Sequence, residues 1–294
     1  MMSLDGWNLP PVREGRGASE ELAARRRGTA AYREDPEPGV TVRQELLGGV
    51  PCTFLEVPEP ALTLLYLHGG GYRMGDADGW LGLGSRIALA ARARVVLADY
   101  RLAPEGPFPA ALHDVASVYS ALVEETREQD GFPPFVGGDS AGGGLATSLA
   151  VAARGAQVPM PAGLVLLSPW VDLTVTKPTY DSNAATDQLI SKKSLQEAAE
   201  LYLQLHDPGD PLASPLFADL TGLPPMLVLA SCHEALLGDS TALASRAAAA
   251  GVPVEAHLVP DVPHAWPAIE PTIPESTNAI GTITRFLTAT RAGA

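Results

Sequence analysis

The chain has 294 residues, a length that fits one large α/β domain or two small ones, and the 46% of hydrophobic residues are ample for a sizeable core. Its 20 Lys and Arg residues stand against 34 Asp and Glu residues, and the formal charge of -14 would repel phosphate backbones and anionic lipid head groups. This composition argues against a nucleic acid or a membrane surface as a partner.

The N-terminal region has no continuous apolar segment like that of a signal peptide, and no run elsewhere reaches the ~18 apolar residues of a membrane span. Cys52 and Cys232 are too far apart for a metal motif and too few for a disulfide framework. We therefore expect a cytoplasmic protein with two reduced thiols. The run Arg25-Arg26-Arg27 follows two glutamates in a helical pattern, which predicts a solvated helix face.

The predicted elements alternate between strands and helices. After a polar leader, the segments Thr41–Leu47 and Cys52–Val57 predict a two-stranded hairpin around two glycines. Short apolar runs typical of strands buried on both faces then follow in this order: Leu62–Leu67, Arg94–Ala98, Pro134–Val136, Gly163–Leu167, Met226–Ala230 and Val254–Val259. Helical patterns lie between most of them, including Trp80–Ala91, Ala110–Glu125, Gly142–Ala153 and Leu236–Ala250. Because parallel strands need helical crossovers, this pattern predicts an α/β fold with a mostly parallel, doubly wound sheet.

One long connection, from Asp172 to about Leu212, interrupts this alternation. We expect residues 172–212 and the leader, about residues 1–40, to form a helical cap on a single domain that spans residues 1–294. The insertion contains an apolar stripe at helical spacing, with Ser191 or Ser194 as the residue that caps the helix. The stripe consists of Leu195, Ala198, Ala199, Tyr202 and Leu205.

Two glycine-rich segments carry candidate chemistry. The segment Gly138-Asp139-Ser140-Ala141-Gly142 follows a strand and opens a helix, the setting in which a G-x-S-x-G turn exposes a serine hydroxyl. The segment His68-Gly69-Gly70-Gly71 follows an earlier strand, and its glycines let main-chain N–H groups point into a site without obstruction. Gly70 and Gly71 would supply two donors to an oxyanion, and Ala141 would supply the third. Alone, the serine segment could be a glycine-rich helix start, and the His68 segment could be a plain glycine turn.

The chain from about residue 60 onward resembles the hormone-sensitive-lipase-like group, or family IV, of bacterial esterases with the α/β-hydrolase fold. The motifs that carry the resemblance occur in the family's order: His68-Gly69-Gly70-Gly71-Tyr72, Asp99-Tyr100-Arg101-Leu102-Ala103-Pro104-Glu105, Gly138-Asp139-Ser140-Ala141-Gly142-Gly143, Ser168-Pro169-Trp170, Ser214-Pro215-Leu216 and Leu223-Pro224-Pro225. The resemblance implies hydrolysis of carboxylic esters, usually with short acyl chains, without a metal or an organic cofactor. It also implies a cap made from the N-terminal region and an insertion.

Chain order selects the general base among six histidines. In this fold the histidine follows both the serine and the acid, in a loop after the last strands. His264 lies in such a loop, which is similar to the family's terminal histidine motif, whereas His257 lies within a predicted strand. We expect His68 to have a structural role beside the glycine loop. The other three are expected to be surface or capping residues: His113, His206 and His233.

Two carboxylates follow the strand Met226–Ala230 as candidates for the acid that orients His264. Glu234 lies within reach of a short loop, at a position where the family commonly has Asp. A glutamate can nevertheless accept the Nδ1–H bond, fix the tautomer and stabilise the imidazolium. Asp239 lies about one and a half helical turns further on and is expected to face solvent. We therefore predict Glu234 as the acid.

Together these residues predict a serine carboxylesterase that cleaves short-chain, small-molecule esters through an acyl-enzyme, with Ser140 as nucleophile and His264 as base. A lactonase or amidase with the same triad is an alternative, because the pocket decides which bond is cleaved. A second alternative is a non-catalytic small-molecule receptor on the same fold. The joint presence of the serine, the glycine loop and the histidine argues against a receptor. A homodimer is one possible assembly. The apolar stripe is expected to close over the acyl pocket, with ordinary core packing as the alternative.

Overall fold

The computed structural model describes residues 6–29, 33–129 and 131–293. One eight-stranded sheet lies at its centre, in the order β1-β2-β4-β3-β5-β6-β7-β8. The strands are β1 (Thr41–Leu47), β2 (Val50–Glu56), β3 (Leu62–Leu67), β4 (Ala93–Ala98), β5 (Phe135–Asp139), β6 (Leu164–Leu167), β7 (Met226–Ser231) and β8 (Val254–Val259). Strand β2 runs antiparallel to β1 and β4, and the other neighbours are parallel. The predicted fold class is confirmed.

Helices cover both faces of the sheet. They are α1 (Glu20–Thr29), α2 (Leu81–Ala91), α3 (Ala110–Gln129), α4 (Ala141–Ala156), α5 (Thr179–Ser182), α6 (Lys192–Leu203), α7 (Leu237–Ala249), α8 (Trp266–Ile269) and α9 (Pro274–Ala292). One apolar core joins the sheet to α3, α4, α6 and α7, and a second joins the opposite face to α2 and α9. Within the described residues, no helix has the length and apolarity that a bilayer crossing requires.

Strands β5 and β8 differ most from the sequence prediction. Strand β5 continues through Gly137, Gly138 and Asp139 instead of ending at Val136, because β3 and β6 pair with this segment from both sides. Because of this pairing, β5 ends at Asp139, directly before Ser140. Strand β8 is half-exposed rather than buried on both faces, because it is the last strand of the sheet and has one neighbour.

The segments predicted to form the cap pack close to the glycine loop, and residues 1–5 and 30–32 of the leader lie outside the described residues. Ser191 is the N-cap of helix α6, and its side chain accepts a hydrogen bond from Ser194 N–H in a capping box. The helix ends at Leu203, so Leu205 is fully exposed, and its inclusion in the predicted stripe was wrong. The other four stripe residues are buried.

The arginine run of α1 does not form a uniformly solvated face. Arg26 donates hydrogen bonds to the carbonyl oxygens of Arg73 and Ala103 and forms an ion pair with Glu105. Its side chain is three-quarters buried, with a relative exposure of 25%. The prediction of a solvated run was therefore wrong for Arg26, which attaches α1 to the segment that follows the glycine loop.

Candidate active site

Ser140 occupies a strained turn between β5 and α4. Its backbone has φ 52° and ψ -121°, a left-handed conformation that is unfavourable for a residue with a side chain. Its N–H donates to Leu167 O at 2.9 Å, which fixes the turn against β6. A Cβ at Gly138 or Gly142 would clash with main-chain atoms, so both outer positions of the G-x-S-x-G motif require glycine. The serine thus lies at the end of a central strand, as predicted.

The glycine loop after β3 packs against this turn. Gly70 and Gly71 have positive φ values of 111° and 62°, which glycine adopts readily. Within the part of the chain that the structure describes, the main-chain N–H groups of Gly70, Gly71 and Ala141 donate to no acceptor. The three N–H groups predicted to bind an oxyanion therefore have no protein acceptor among the described residues.

Asp139 connects the serine turn to the glycine loop. Its Oδ1 atom accepts hydrogen bonds from Gly69 N–H at 3.1 Å, Trp80 Nε1–H at 2.7 Å and Tyr66 O–H at 3.2 Å. Burial raises the pKa of Asp139 to about 6, although the nearby His264 and these donors oppose the rise. One buried carboxylate therefore holds the glycine loop in position beside Ser140.

His68 has the structural role that the sequence predicts. Its ring stacks on Tyr100 with a centroid separation of 4.3 Å, and the Tyr100 hydroxyl donates to His68 O. Its Nδ1 lies 2.7 Å from Gly69 O, a carbonyl that can only accept, so Nδ1 carries the hydrogen. Burial lowers the pKa of His68 to about 4, which keeps the ring neutral.

His264 and Glu234, predicted from separate segments, meet in the structure. His264 Nδ1 donates to Glu234 Oε2 at 2.8 Å, and both side chains are buried. Because a carboxylate can only accept, Nδ1 carries the hydrogen in the neutral ring and Nε2 is left as the basic nitrogen. This is the arrangement of a general base oriented by an acid.

Hydrogen bonds connect the loop that carries His264 with the turn that carries Ser140. Ala265 N–H donates to the Ser168 hydroxyl at 3.1 Å, and Ser168 directly follows the residue that accepts from Ser140 N–H. On the other side of the serine, Trp170 N–H donates to Ser140 O at 2.9 Å. The loop that carries His264 is therefore anchored to the same segment of chain as Ser140.

The surroundings of His264 favour its protonated form. Burial, the largest single influence, lowers the pKa of His264, whereas the hydrogen bond and the charge of Glu234 raise it. The charges of Asp187 and Asp139 also raise the pKa of His264, which lies above its ordinary value.

Within the described residues, no three His, Cys, Asp or Glu side chains converge as metal ligands would.

Comparison with known proteins identifies the family. Residues 64–268 match the family described as alpha/beta hydrolase fold. The acetyl-hydrolase of Streptomyces hygroscopicus is 42% identical over 235 residues, which cover 79% of this chain and 77% of that protein. The crystal structure of a hormone-sensitive lipase from a metagenome library is similar, with 40% identity and a TM-score of 0.88 over 94% of this chain and 93% of that one. The chain belongs to the hormone-sensitive-lipase-like esterases.

The family assignment makes this protein a hydrolase and confirms the resemblance found in the sequence. The esterase of Acinetobacter venetianus is another relative, 34% identical over 255 residues that cover 86% of this chain and 83% of that protein. A crystal structure described as an esterase from the bacterial hormone-sensitive lipase family has a TM-score of 0.86 at 39% identity, with 92% of each chain covered.

The structure contradicts the prediction that Asp239 of this esterase faces solvent. Asp239 is fully buried, and its Oδ1 accepts hydrogen bonds from the N–H groups of Val171 and Asp172. Its Oδ2 accepts from the Tyr180 hydroxyl at 2.6 Å. Burial raises its pKa to about 7. Asp239 lies on a helix, as predicted, but the insertion covers this face of α7.

The remaining histidines lie apart from Ser140 in roles close to those expected. His257 lies on β8 with Nε2 2.7 Å from Glu255 Oε1, and His113 Nε2 lies 2.7 Å from a leader carbonyl. His206 contacts Asp210, at 2.7 Å. His233 is partly exposed and directly precedes Glu234 in the loop between β7 and α7, which is called the acid loop below.

Two cavities border the site of the esterase. An apolar cavity of about 490 Å³ reaches the glycine loop and is lined in part by Gly70, Trp80, Leu189 and Ile269. A second cavity, of about 500 Å³, is bordered by His264 and Glu234. Leu189 and Ile269 line both, so they separate the two spaces. Neither residue stands out in the sequence, because each is one apolar residue in a polar or irregular segment.

The predicted stripe packs beneath the glycine loop and lines neither of these two cavities. The Tyr202 ring stacks on Tyr72 with a centroid separation of 3.9 Å. The Ala198 methyl lies 3.3 Å from where a Cβ on Gly71 would be. The stripe therefore supports the loop from behind, which agrees with the core-packing alternative.

Proposed function

We propose that this hydrolase is a serine carboxylesterase that acts on short-chain, small-molecule esters through Ser140, His264 and Glu234. The observation that carries the proposal is the buried hydrogen bond between His264 and Glu234. It occurs on a loop anchored beside a serine in the strained strand-to-helix turn. The names of the relatives, acetyl-hydrolase and esterase, describe the same class of reaction.

The proposed mechanism has two balanced steps. The Ser140 hydroxyl oxygen attacks the ester carbonyl carbon while His264 Nε2 takes the hydroxyl proton, and the carbonyl oxygen becomes an oxyanion. The N–H groups of Gly70, Gly71 and Ala141 stabilise that charge, and the protonated His264 then gives its proton to the leaving alcohol. Water repeats the sequence on the acyl-enzyme, which releases the acid and restores Ser140.

We propose the apolar cavity beside Gly70 as the acyl site. Its volume of about 490 Å³ falls at the small end of the range for ligand pockets. The cap, proposed to comprise about residues 1–40 and 172–212, contributes Leu189 to its wall. A homodimer and a cytoplasmic location stay predictions of the sequence.

Turnover of a p-nitrophenyl ester series from acetate to laurate tests the proposed function. We expect the highest kcat/KM on the short esters, with a lactone and an anilide of the same acyl group turned over far more slowly. Preferential turnover of the lactone or the anilide would replace the carboxylesterase by a lactonase or amidase. Absence of turnover on the whole panel would favour a receptor and overturn the proposal.

Narrowing the apolar cavity should change chain-length preference. We expect Leu189→Trp to lower kcat/KM on octanoate relative to acetate by roughly 10-fold, because a pocket distinguishes methylene groups on this scale. The control is Leu46→Trp, the same change at an exposed position of β1. Equal preference in the two variants, measured across the ester series, would show that the cavity does not hold the acyl chain.

The pH dependence should reflect the raised pKa of His264. The base acts in its neutral form, so kcat/KM should rise with pH as His264 loses its proton. Since Glu234, Asp187 and Asp139 raise the pKa of His264, we expect the midpoint of that rise above about 6.5. A profile of kcat/KM from pH 5 to 9 measures it, and a midpoint below the ordinary histidine value would contradict this prediction.

A further inference from the structure

The first part of the insertion holds the loop that carries Glu234. Asn183 Nδ2 donates to Glu234 O at 2.9 Å and to Cys232 O at 3.3 Å. The Thr186 hydroxyl donates to His233 O at 2.8 Å. Side chains from one short segment of chain thus bind three consecutive carbonyl groups of the acid loop, and a connection of ordinary length between β6 and β7 would not provide them.

Asp187 adds a contact with the main-chain N–H side of the acid loop. Its Oδ2 accepts from Ala235 N–H, the residue after Glu234, at 2.7 Å. Its Oδ1 accepts from the N–H groups of Leu189 and Ile190 at 2.9 and 2.8 Å. Both oxygens are therefore occupied by main-chain donors, which fix the direction of the carboxylate. Hydrogen bonds from N–H groups to a charged carboxylate are stronger than those between neutral groups.

Glu234 depends on its main chain for orientation. Its Oε2 binds His264, and its Oε1 has no hydrogen-bond partner in the described part of the chain, although the side chain is buried. No second side chain therefore fixes the rotation of this carboxylate. The position of Glu234 Oε2 is set by the backbone of the loop, and that backbone is held by Asn183, Thr186 and Asp187.

The charge of Asp187 also acts on His264. Asp187, Glu234 and His264 border the same cavity, and the negative charge of Asp187 favours the protonated imidazole. Asp139 acts in the same direction from the serine turn. The other titratable groups that border the cavity are His233, Asp261 and Glu270.

We propose that Asp187 is a positioning residue with two effects, which rest on the proposed function: it holds the acid loop through Ala235 N–H, and its charge stabilises the imidazolium of His264. The insertion then does more than cover the site, because one of its carboxylates belongs to the electrostatic surroundings of the base. Asp187 does not contact the reacting atoms and acts through Glu234 and His264.

The test compares Asp187→Asn with Asp181→Asn. The first change removes the charge and places an amide nitrogen against main-chain donors. The second removes a charge from the same segment, but Asp181 is exposed and pairs with Lys192, so its loss should have little effect. For Asp187→Asn we expect kcat to fall roughly 10-fold. We also expect the rise of kcat/KM with pH to shift about 0.5 to 1 pH unit lower.

The pKa of His264 is also measured without turnover, by NMR titration of its ring proton in each variant. Circular dichroism verifies folding, and Asp187→Glu, which restores the charge, should move the titration back toward wild type. A titration of Asp187→Asn that coincides with those of wild type and Asp181→Asn would overturn the proposal, as would a loss of kcat with no shift. Failure of the proposed function appears separately, as wild-type protein that does not hydrolyse any ester.

Discussion

Ser140→Ala should abolish ester hydrolysis and leave the fold intact, with kcat lower by roughly 10⁶-fold, the loss seen when a triad nucleophile is removed. Removing the hydroxyl leaves no oxygen to attack the carbonyl carbon, whereas the main-chain contacts of Ser140 with Leu167 and Trp170 do not use the side chain. The measurement is kcat on p-nitrophenyl acetate, with a burst experiment to detect the acyl-enzyme.

Ser117→Ala is the matched control for this change. The Ser117 hydroxyl donates to His113 O within α3, away from the site, so its loss should leave kcat near the wild-type value. Circular dichroism and the thermal midpoint should be unchanged in both variants. If Ser140→Ala kept wild-type kcat while Ser117→Ala behaved normally, another group would be the nucleophile and the proposed mechanism would fail.

Glu234→Gln should lower kcat by up to roughly 10⁴-fold, the scale on which a triad responds when its acid becomes an amide. Glutamine keeps the volume of the side chain, but its amide group can favour the wrong tautomer of His264 and cannot stabilise imidazolium. Because Glu234 Oε2 is the acceptor for His264 Nδ1–H, the defect should appear in kcat more than in folding. Single-turnover kinetics would locate it in the chemical step.

Asp239→Asn is the comparison for this prediction, and the structure changes what is expected of it. An asparagine oxygen can still accept from Val171 and Asp172 N–H, but its amide nitrogen faces the Tyr180 hydroxyl. We expect a loss of about 1–3 kcal/mol in the free energy of unfolding, with kcat within a few-fold of wild type. If Asp239→Asn removed activity and Glu234→Gln were mild, Asp239 rather than Glu234 would be the triad acid.

Much of the fold could be predicted from local patterns. Apolar runs such as Leu62–Leu67 identify buried strands because burial on both faces leaves no room for polar residues. The ends of the strands were harder to predict. Strand β5, for example, includes two glycines whose strand conformation depends on the neighbouring strands that pair with them. In the same way the half-exposed surface of β8 follows from its place at the edge of the sheet.

The sequence by itself determined the candidate nucleophile and the glycine loop, because each lies in a short motif whose conformation is set by a few neighbouring residues, and chain order selected the histidine. Only the tertiary structure decided the burial and the electrostatic surroundings of the carboxylates near these residues. Asp239 is buried by contacts with residues 67 and 68 positions away, and Asp187 binds an N–H group 48 positions away. Burial and charge depend on such distant segments, so no local pattern could show that Asp239 is buried against the start of the insertion or that Asp187 borders the same cavity as His264.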